Sequence, residues 1–180
     1  MTPSLLRVMY APLDYVHATR FAKPGFALSR AVQQSINRTL IQRYELGTTL
    51  DFSIGYGDFS QRLVEEWDLL PTVAWLLGCK LARGSLARSG QLATLPIAAH
   101  RFIALPIACP ACSSDIRVAD AQIELLGARY LYQLQANLPQ ALAQRLSLVF
   151  SADKDVAPLD LSLNRSLLTF AFDYAKNSRH

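Results

Sequence analysis

The chain has 180 residues, 51% of them hydrophobic and only 18% charged, with a net charge of +4. This size suits one domain with a substantial core, and the apolar content excludes a disordered or collagen-like chain. Three cysteines exclude a disulfide scaffold and favour a reducing, cytoplasmic compartment. No apolar window is long enough to predict a transmembrane helix, and no signal peptide is recognisable.

Helical patterns dominate the chain in sequence order. Near the N-terminus Leu6, Val8 and Tyr10 alternate with other residues, which predicts one small β element at that end. Residues 27–45 carry a single apolar stripe that predicts a helix, with Gly47 as its stop. A cap at Asp58 or Ser60 starts the next predicted helix, and later helices are predicted at residues 72–82, 85–89, 114–135, 139–149 and 163–175.

The predicted fold class is therefore mainly α, a compact helical domain with one small β element. Residues 46–57 are glycine-punctuated and irregular, so they mark the best boundary inside the chain. We expect a single domain over residues 1–180, in which a minor N-terminal portion, residues 1–50, packs on a helical body, residues 58–180. The glycines at 55 and 57 do not form a nucleotide-binding loop, because the position of the third glycine holds serine.

The positive charge is concentrated in the middle of the chain. Residues 69–114 contain no acidic residue and four basic ones, Lys80, Arg83, Arg88 and Arg101. The other residues hold 14 basic and 14 acidic groups, so the whole excess lies in this segment. Because a local basic segment attracts an acidic surface, these four residues are predicted to contribute to a partner interface. The alternative is a solvated helix face whose acidic partners come from elsewhere in the fold.

The sharpest chemical pattern is the pair Cys109 and Cys112, separated by Pro-Ala. Two thiols at this spacing at a helix N-terminus can form a redox-active disulfide. They could also bind zinc, with Cys79 and His100 as further ligands. No βαβ unit precedes the pair, and free cysteine often serves as a small apolar residue. A small redox or zinc-binding protein that uses Cys109 and Cys112 is therefore the alternative function.

No other pattern indicates an active site. Gly84-Ser85 does not form a nucleophile elbow, and the two carboxylates Glu65 and Asp68 are typical of a solvated helix face. The basic segment has too few neighbouring aromatic residues for a nucleic-acid surface. The sequence predicts a protein that is not an enzyme, with no catalytic residues, cofactor or metal.

Three stretches carry a family resemblance. Residues 9–17 are MYAPLDYVH, residues 70–95 are LPTVAWLLGCKLARGSLARSGQLATL, and residues 140–150 are QALAQRLSLVF. In this order, they resemble the SctK/YscK family of type III secretion proteins over most of the chain. The Cys-Pro-Ala-Cys turn is not a feature of that family.

The resemblance implies a cytosolic adaptor without enzymatic activity in the sorting platform of a type III secretion system. Such proteins lie at the cytoplasmic face of the inner membrane. The implied partners are the cytoplasmic domain of the SctD-class ring protein and the SctQ-class pod protein, and indirectly SctL and SctN. No catalytic residues come with the family.

Overall fold

The computed structural model describes residues 2–49, 59–109, 119–154 and 157–178. Within these ranges the chain forms nine α-helices, joined in places by short 3₁₀ turns, and no strand. The helices are α1 (Pro3–Tyr10), α2 (Arg30–Arg43), α3 (Phe59–Glu65), α4 (Leu70–Leu81), α5 (Arg83–Arg88), α6 (Ile97–Ala104), α7 (Asp120–Tyr132), α8 (Gln140–Leu146) and α9 (Arg165–Asn177). The predicted mainly α fold class is confirmed. No described helix has the length and apolar character that a bilayer crossing requires.

The chain divides into two compact units. Unit 1 comprises Met1–Asp68 and Leu134–Asp155, and unit 2 comprises Leu69–Gln133 and Val156–His180. Each unit therefore combines two separate stretches of the sequence, a pattern that the boundary at residues 46–57 did not predict. The organisation as a single domain stays a prediction.

The N-terminal segment is a helix where a β element was predicted. The Thr2 side chain caps α1 by accepting a hydrogen bond from the Leu5 N–H at 3.3 Å, and Pro3 fixes φ at the first helical position. Leu5, Val8 and Met9 then fall at helical spacing and are buried. The small β element is not formed there, because a cap and a buried helical stripe outweigh a short alternation of residue types.

Helix α2 ends before the glycine that was predicted to stop it. Tyr44 follows its last turn, and Glu45 has a φ of 49°, in the left-handed region. The chain therefore reverses at Glu45, and Gly47 lies two residues further on, where its N–H donates to the Gln144 side chain at 2.8 Å. Leu40 is the one buried residue of α2.

The core of unit 1 contains a buried arginine. Nη1 of Arg145 donates to the carbonyl oxygens of Ala141 at 2.6 Å and Gly47 at 2.9 Å, and Nη2 donates to that of Met9 at 2.7 Å. Burial lowers the pKa of this guanidinium, and the nearby Tyr15 partly opposes the shift. Arg145 thus joins α8, the end of α1 and the segment after α2.

The core of unit 2 is built on a close crossing of α4 and α7. A Cβ atom added at Gly78 would overlap the carbonyl of Ile123, and one added at Gly127 would overlap the carbonyl of Ala74. The two helix backbones therefore touch without intervening side chains. The prediction that residues 72–82 form a helix buried on most faces agrees with α4, which also packs against α6 and α9.

Candidate partner-binding site

Lys80 lies inside unit 2 and not at its surface. Its side chain is fully buried, and its ammonium donates to the carbonyl oxygens of Ile103 and Leu105, both at 2.6 Å. Burial, with a smaller contribution from Arg83, lowers the pKa of the Lys80 ammonium. The prediction that Lys80 contributes to a partner surface therefore needs correction, because its ammonium is buried and hydrogen-bonds to the carbonyls at the C-terminal end of α6.

The other three predicted residues are exposed on unit 2. Arg83 begins α5, Arg88 ends it, and Arg101 lies in the last turn of α6. Arg83 and Arg101 have no carboxylate within ion-pair distance in the part of the chain that the structure describes.

Helices α6 and α9 of unit 2 enclose a cleft of about 590 Å³. Its lining residues are Pro96, Ile97, Ala98, Arg101, Tyr174, Asn177 and Ser178. Ile97 is 70% exposed, and it lies one helical turn before Arg101, so the two side chains share a face of α6. We call this feature the α6–α9 cleft.

An aromatic contact supports the wall of the α6–α9 cleft. The rings of Phe102 and Tyr174 meet edge to face, with centroids 5.6 Å apart, and Phe102 is fully buried. The cleft therefore has a fixed side and presents a large apolar side chain next to a cation. Apolar anchors beside arginine are typical of protein interfaces. Sequence reasoning found Arg101 through its charge but missed Ile97 and the α9 residues, which only the fold brings beside it.

The cysteines do not assemble a described site. Cys79 and Cys109 are buried, and Cys112 lies outside the described residues. Burial, reinforced by the negative charge of Asp120, raises the pKa of the Cys79 thiol to about 12. In the described ranges, no three His, Cys, Asp or Glu side chains are placed to hold a metal ion. No described geometry supports the redox or zinc alternative.

A helical chain with an exposed anchor beside a cation has the features of a protein that works by contact with other proteins. The chain belongs to the OrgA/MxiK family of bacterial type III secretion apparatus proteins, whose family model matches residues 5–177. This finding confirms the resemblance to the SctK/YscK family.

Among curated proteins, the chain is similar to the oxygen-regulated invasion protein OrgA of Salmonella typhimurium, from strains 14028s, SL1344 and LT2. The identity is 29% over 171 residues, which cover 94% of this chain and 85% of the relative. No solved structure matches the chain.

Proposed function

We propose that the chain is an adaptor of a type III secretion sorting platform and has no enzymatic activity. In this proposal it lies at the cytoplasmic face of the inner membrane and links the cytoplasmic domain of the SctD-class ring protein to the SctQ-class pod protein. Family membership over residues 5–177 supports the assignment to the apparatus. The observation that carries the adaptor role is the α6–α9 cleft, with Ile97 and Arg101 exposed side by side.

Ile97 at the cleft and the exposed arginines of unit 2, Arg83 and Arg101, would contribute differently. Covering an exposed isoleucine contributes roughly 1.5–3 kcal/mol when the burial is complete. An exposed ion pair to Arg83 or Arg101 contributes about 0–1 kcal/mol and is screened by salt. Ile97 would therefore supply most of the affinity, while the arginines would select an acidic partner and speed the encounter.

Binding to the two purified partners tests the proposal. The wild-type chain is expected to bind the ring protein's cytoplasmic domain and the pod protein in titration calorimetry. Ile97→Ser, and separately the double variant R83E/R101E, should weaken binding to at least one of them by about tenfold, close to 1.4 kcal/mol. All these positions are exposed, so the variants should melt like the wild type.

A matched control separates local from global charge effects. Arg165 is an exposed arginine of the same unit, at the start of α9 and outside the α6–α9 cleft. R165E makes the same charge change as R101E alone and should bind as the wild type does. If the wild-type chain binds neither the ring protein's cytoplasmic domain nor the pod protein, the proposed function is overturned.

A further inference from the structure

Helix α2 of unit 1 is covered far less than a typical surface helix. All six residues from 30 to 35 are exposed, and Leu40 near the other end is the buried one. The helix is nevertheless fixed at its start and near its middle. Ser29 caps its first turn, and Oδ1 of Asn37 accepts a hydrogen bond from the Leu13 N–H at 2.8 Å. Because residues 30–35 are all exposed, no described residue covers the first half of this helix.

The uncovered face of α2 is positively charged. Residues 15–44 contain no acidic residue and five basic ones, Arg20, Lys23, Arg30, Arg38 and Arg43. Arg20 is buried and donates to a backbone carbonyl, and Lys23 also donates to one. Arg30 and Arg38 are exposed, lie on one side of the helix, and have no carboxylate partner within the described ranges.

This second basic stretch was hidden in the charge count. Outside residues 69–114 the numbers of basic and acidic residues are equal, because acidic residues elsewhere balance the cations of this stretch. The net charge of +4 therefore identified residues 69–114 alone. In the described part of the structure those acidic groups do not pair with Arg30 or Arg38. The local charge of α2 is therefore positive, although the chain outside residues 69–114 is balanced in charge as a whole.

A groove lies beside the same face. It has a volume of about 260 Å³ and is lined by Tyr10, Gln34, Asn37, Arg38 and Ile41. Tyr10 is 42% exposed, and its hydroxyl donates to the carbonyl oxygen of Thr48 at 3.1 Å, which holds the ring in place. The groove thus offers an apolar floor from Ile41 and Tyr10 next to the Arg38 guanidinium.

We propose that Arg30, Arg38 and the groove between Tyr10 and Ile41, together the α2 surface, dock an acidic segment of a partner protein. Carboxylates of that segment pair with the two guanidiniums, and one apolar side chain enters the groove. The inference rests on the proposed function, because an adaptor needs a second contact surface. The α2 surface belongs to unit 1, whereas the α6–α9 cleft belongs to unit 2.

Charge complementarity with a protein is favoured over docking to an anionic bilayer. A helix that lies in a membrane interface needs a continuous apolar face opposite its basic one. In α2 Leu40 is buried and Ile36 and Ile41 are partly covered, which leaves Val32, 44% exposed, as the large exposed apolar residue of the helix. Two guanidiniums can instead pair with carboxylates, and the small groove has room for one apolar side chain of a protein partner.

The test compares R30E/R38E with the wild type against three probes. The probes are the ring protein's purified cytoplasmic domain, the purified pod protein, and vesicles containing phosphatidylglycerol. We expect R30E/R38E to weaken binding to one of the two proteins by about tenfold, with a loss that shrinks at high salt. R38E alone should give a smaller loss, and its matched control R165E none. Equal melting temperatures check that the fold is kept.

Each other outcome overturns the inference in a distinguishable way. If the wild type binds both proteins and R30E/R38E binds them equally well, the α2 surface is not a docking site, and the proposed function stands. If R30E/R38E loses only vesicle binding, the surface recognises anionic lipid and not a protein. If the wild type binds neither protein, the proposed function and this inference both fail.

Discussion

Nη2 of Arg145 donates to the carbonyl oxygen of Met9 across 2.7 Å, although the two residues are 136 positions apart in the sequence. The other acceptors of this guanidinium, at Gly47 and Ala141, are also backbone carbonyls. The two terminal nitrogens of a buried guanidinium are thus bound by peptide carbonyls from three segments of unit 1. Its main effect is to fix where those segments lie.

Replacing Arg145 by methionine should destabilise the protein. The change removes a desolvated charge, which is favourable, but it removes the side-chain donor to three carbonyl groups, of which that of Ala141 keeps its place in the α8 hydrogen-bond ladder. Each buried unpaired carbonyl costs about 1–3 kcal/mol, so we expect a net loss near 3 kcal/mol. Urea unfolding gives the free energy, with the exposed Arg165→Met as the control, which should stay within about 0.5 kcal/mol of the wild type. An unchanged midpoint for R145M would contradict the structural role of Arg145.

The crossing of α4 and α7 predicts opposite effects for two glycine substitutions. In Gly127→Ala the new Cβ meets the carbonyl of Ala74, so the two helices must separate. We expect this separation to cost about 3 kcal/mol. The cost exceeds the gain in helix propensity from glycine to alanine, which is about 1 kcal/mol. In Gly84→Ala the nearest atom is 3.5 Å away, on the flexible Arg88 side chain. That variant should be as stable as the wild type or slightly more so. A melting temperature for Gly127→Ala that stays as high as that of Gly84→Ala would show that α4 and α7 do not cross in contact.

Lys80 predicts a specific dependence of stability on pH. Its pKa is lowered in the folded state, so on raising the pH the folded chain releases this proton before the unfolded chain does. Between the lowered value and the ordinary value of 10.5 the unfolded state binds more protons, and stability increases with pH. Lys80→Met lacks this contribution.

The free energy of unfolding of the wild type minus that of K80M should therefore rise as the pH approaches about 10. Taking the difference removes the effect of every other titrating group. At neutral pH the wild type should already be the more stable, because K80M removes the Lys80 donor to the Ile103 carbonyl and leaves the Leu105 carbonyl with the Ile107 N–H alone. A difference that is constant across this range would argue against a buried ammonium at position 80.

Cys79 should resist alkylation in the folded protein. With a pKa of about 12 and a buried side chain, its thiolate fraction at pH 8 is about one in ten thousand. Iodoacetamide followed by peptide mass spectrometry should find Cys79 unmodified in the native chain and modified in urea. Labelling of native Cys79 at the rate of a peptide thiol would indicate that unit 2 opens readily.

Some elements of the fold follow from local sequence and others do not. The helix α4 could be predicted because nearly every residue from 72 to 82 is apolar. Helix α1 was missed, because its first turn depends on the Thr2 cap and its end on a hydrogen bond from the distant Arg145 to the Met9 carbonyl. The end of α2 was misplaced because a glutamate adopted the left-handed conformation that glycine usually takes.

The candidate surfaces show the same division. Charge counting located Arg83 and Arg101, which are exposed, but it could not separate them from Lys80, whose ammonium is buried against carbonyl groups. The exposure of α2 is invisible in a sequence, because a helix with apolar residues at helical spacing is expected to be covered. Only tertiary structure shows that Arg30 forms no ion pair with a described carboxylate.

The division of unit 1 between Met1–Asp68 and Leu134–Asp155 has a consequence for the order of folding during synthesis. The ribosome releases the N-terminal helices first, but the guanidinium that joins α1 to the segment after α2 belongs to a residue made 136 positions after Met9. Until α8 emerges, the carbonyls of Met9 and Gly47 lack the Arg145 donor. The first third of the chain therefore cannot complete this contact before the last third has been synthesised. Truncation before residue 145 would therefore remove the hydrogen bonds that join α1 to the segment after α2.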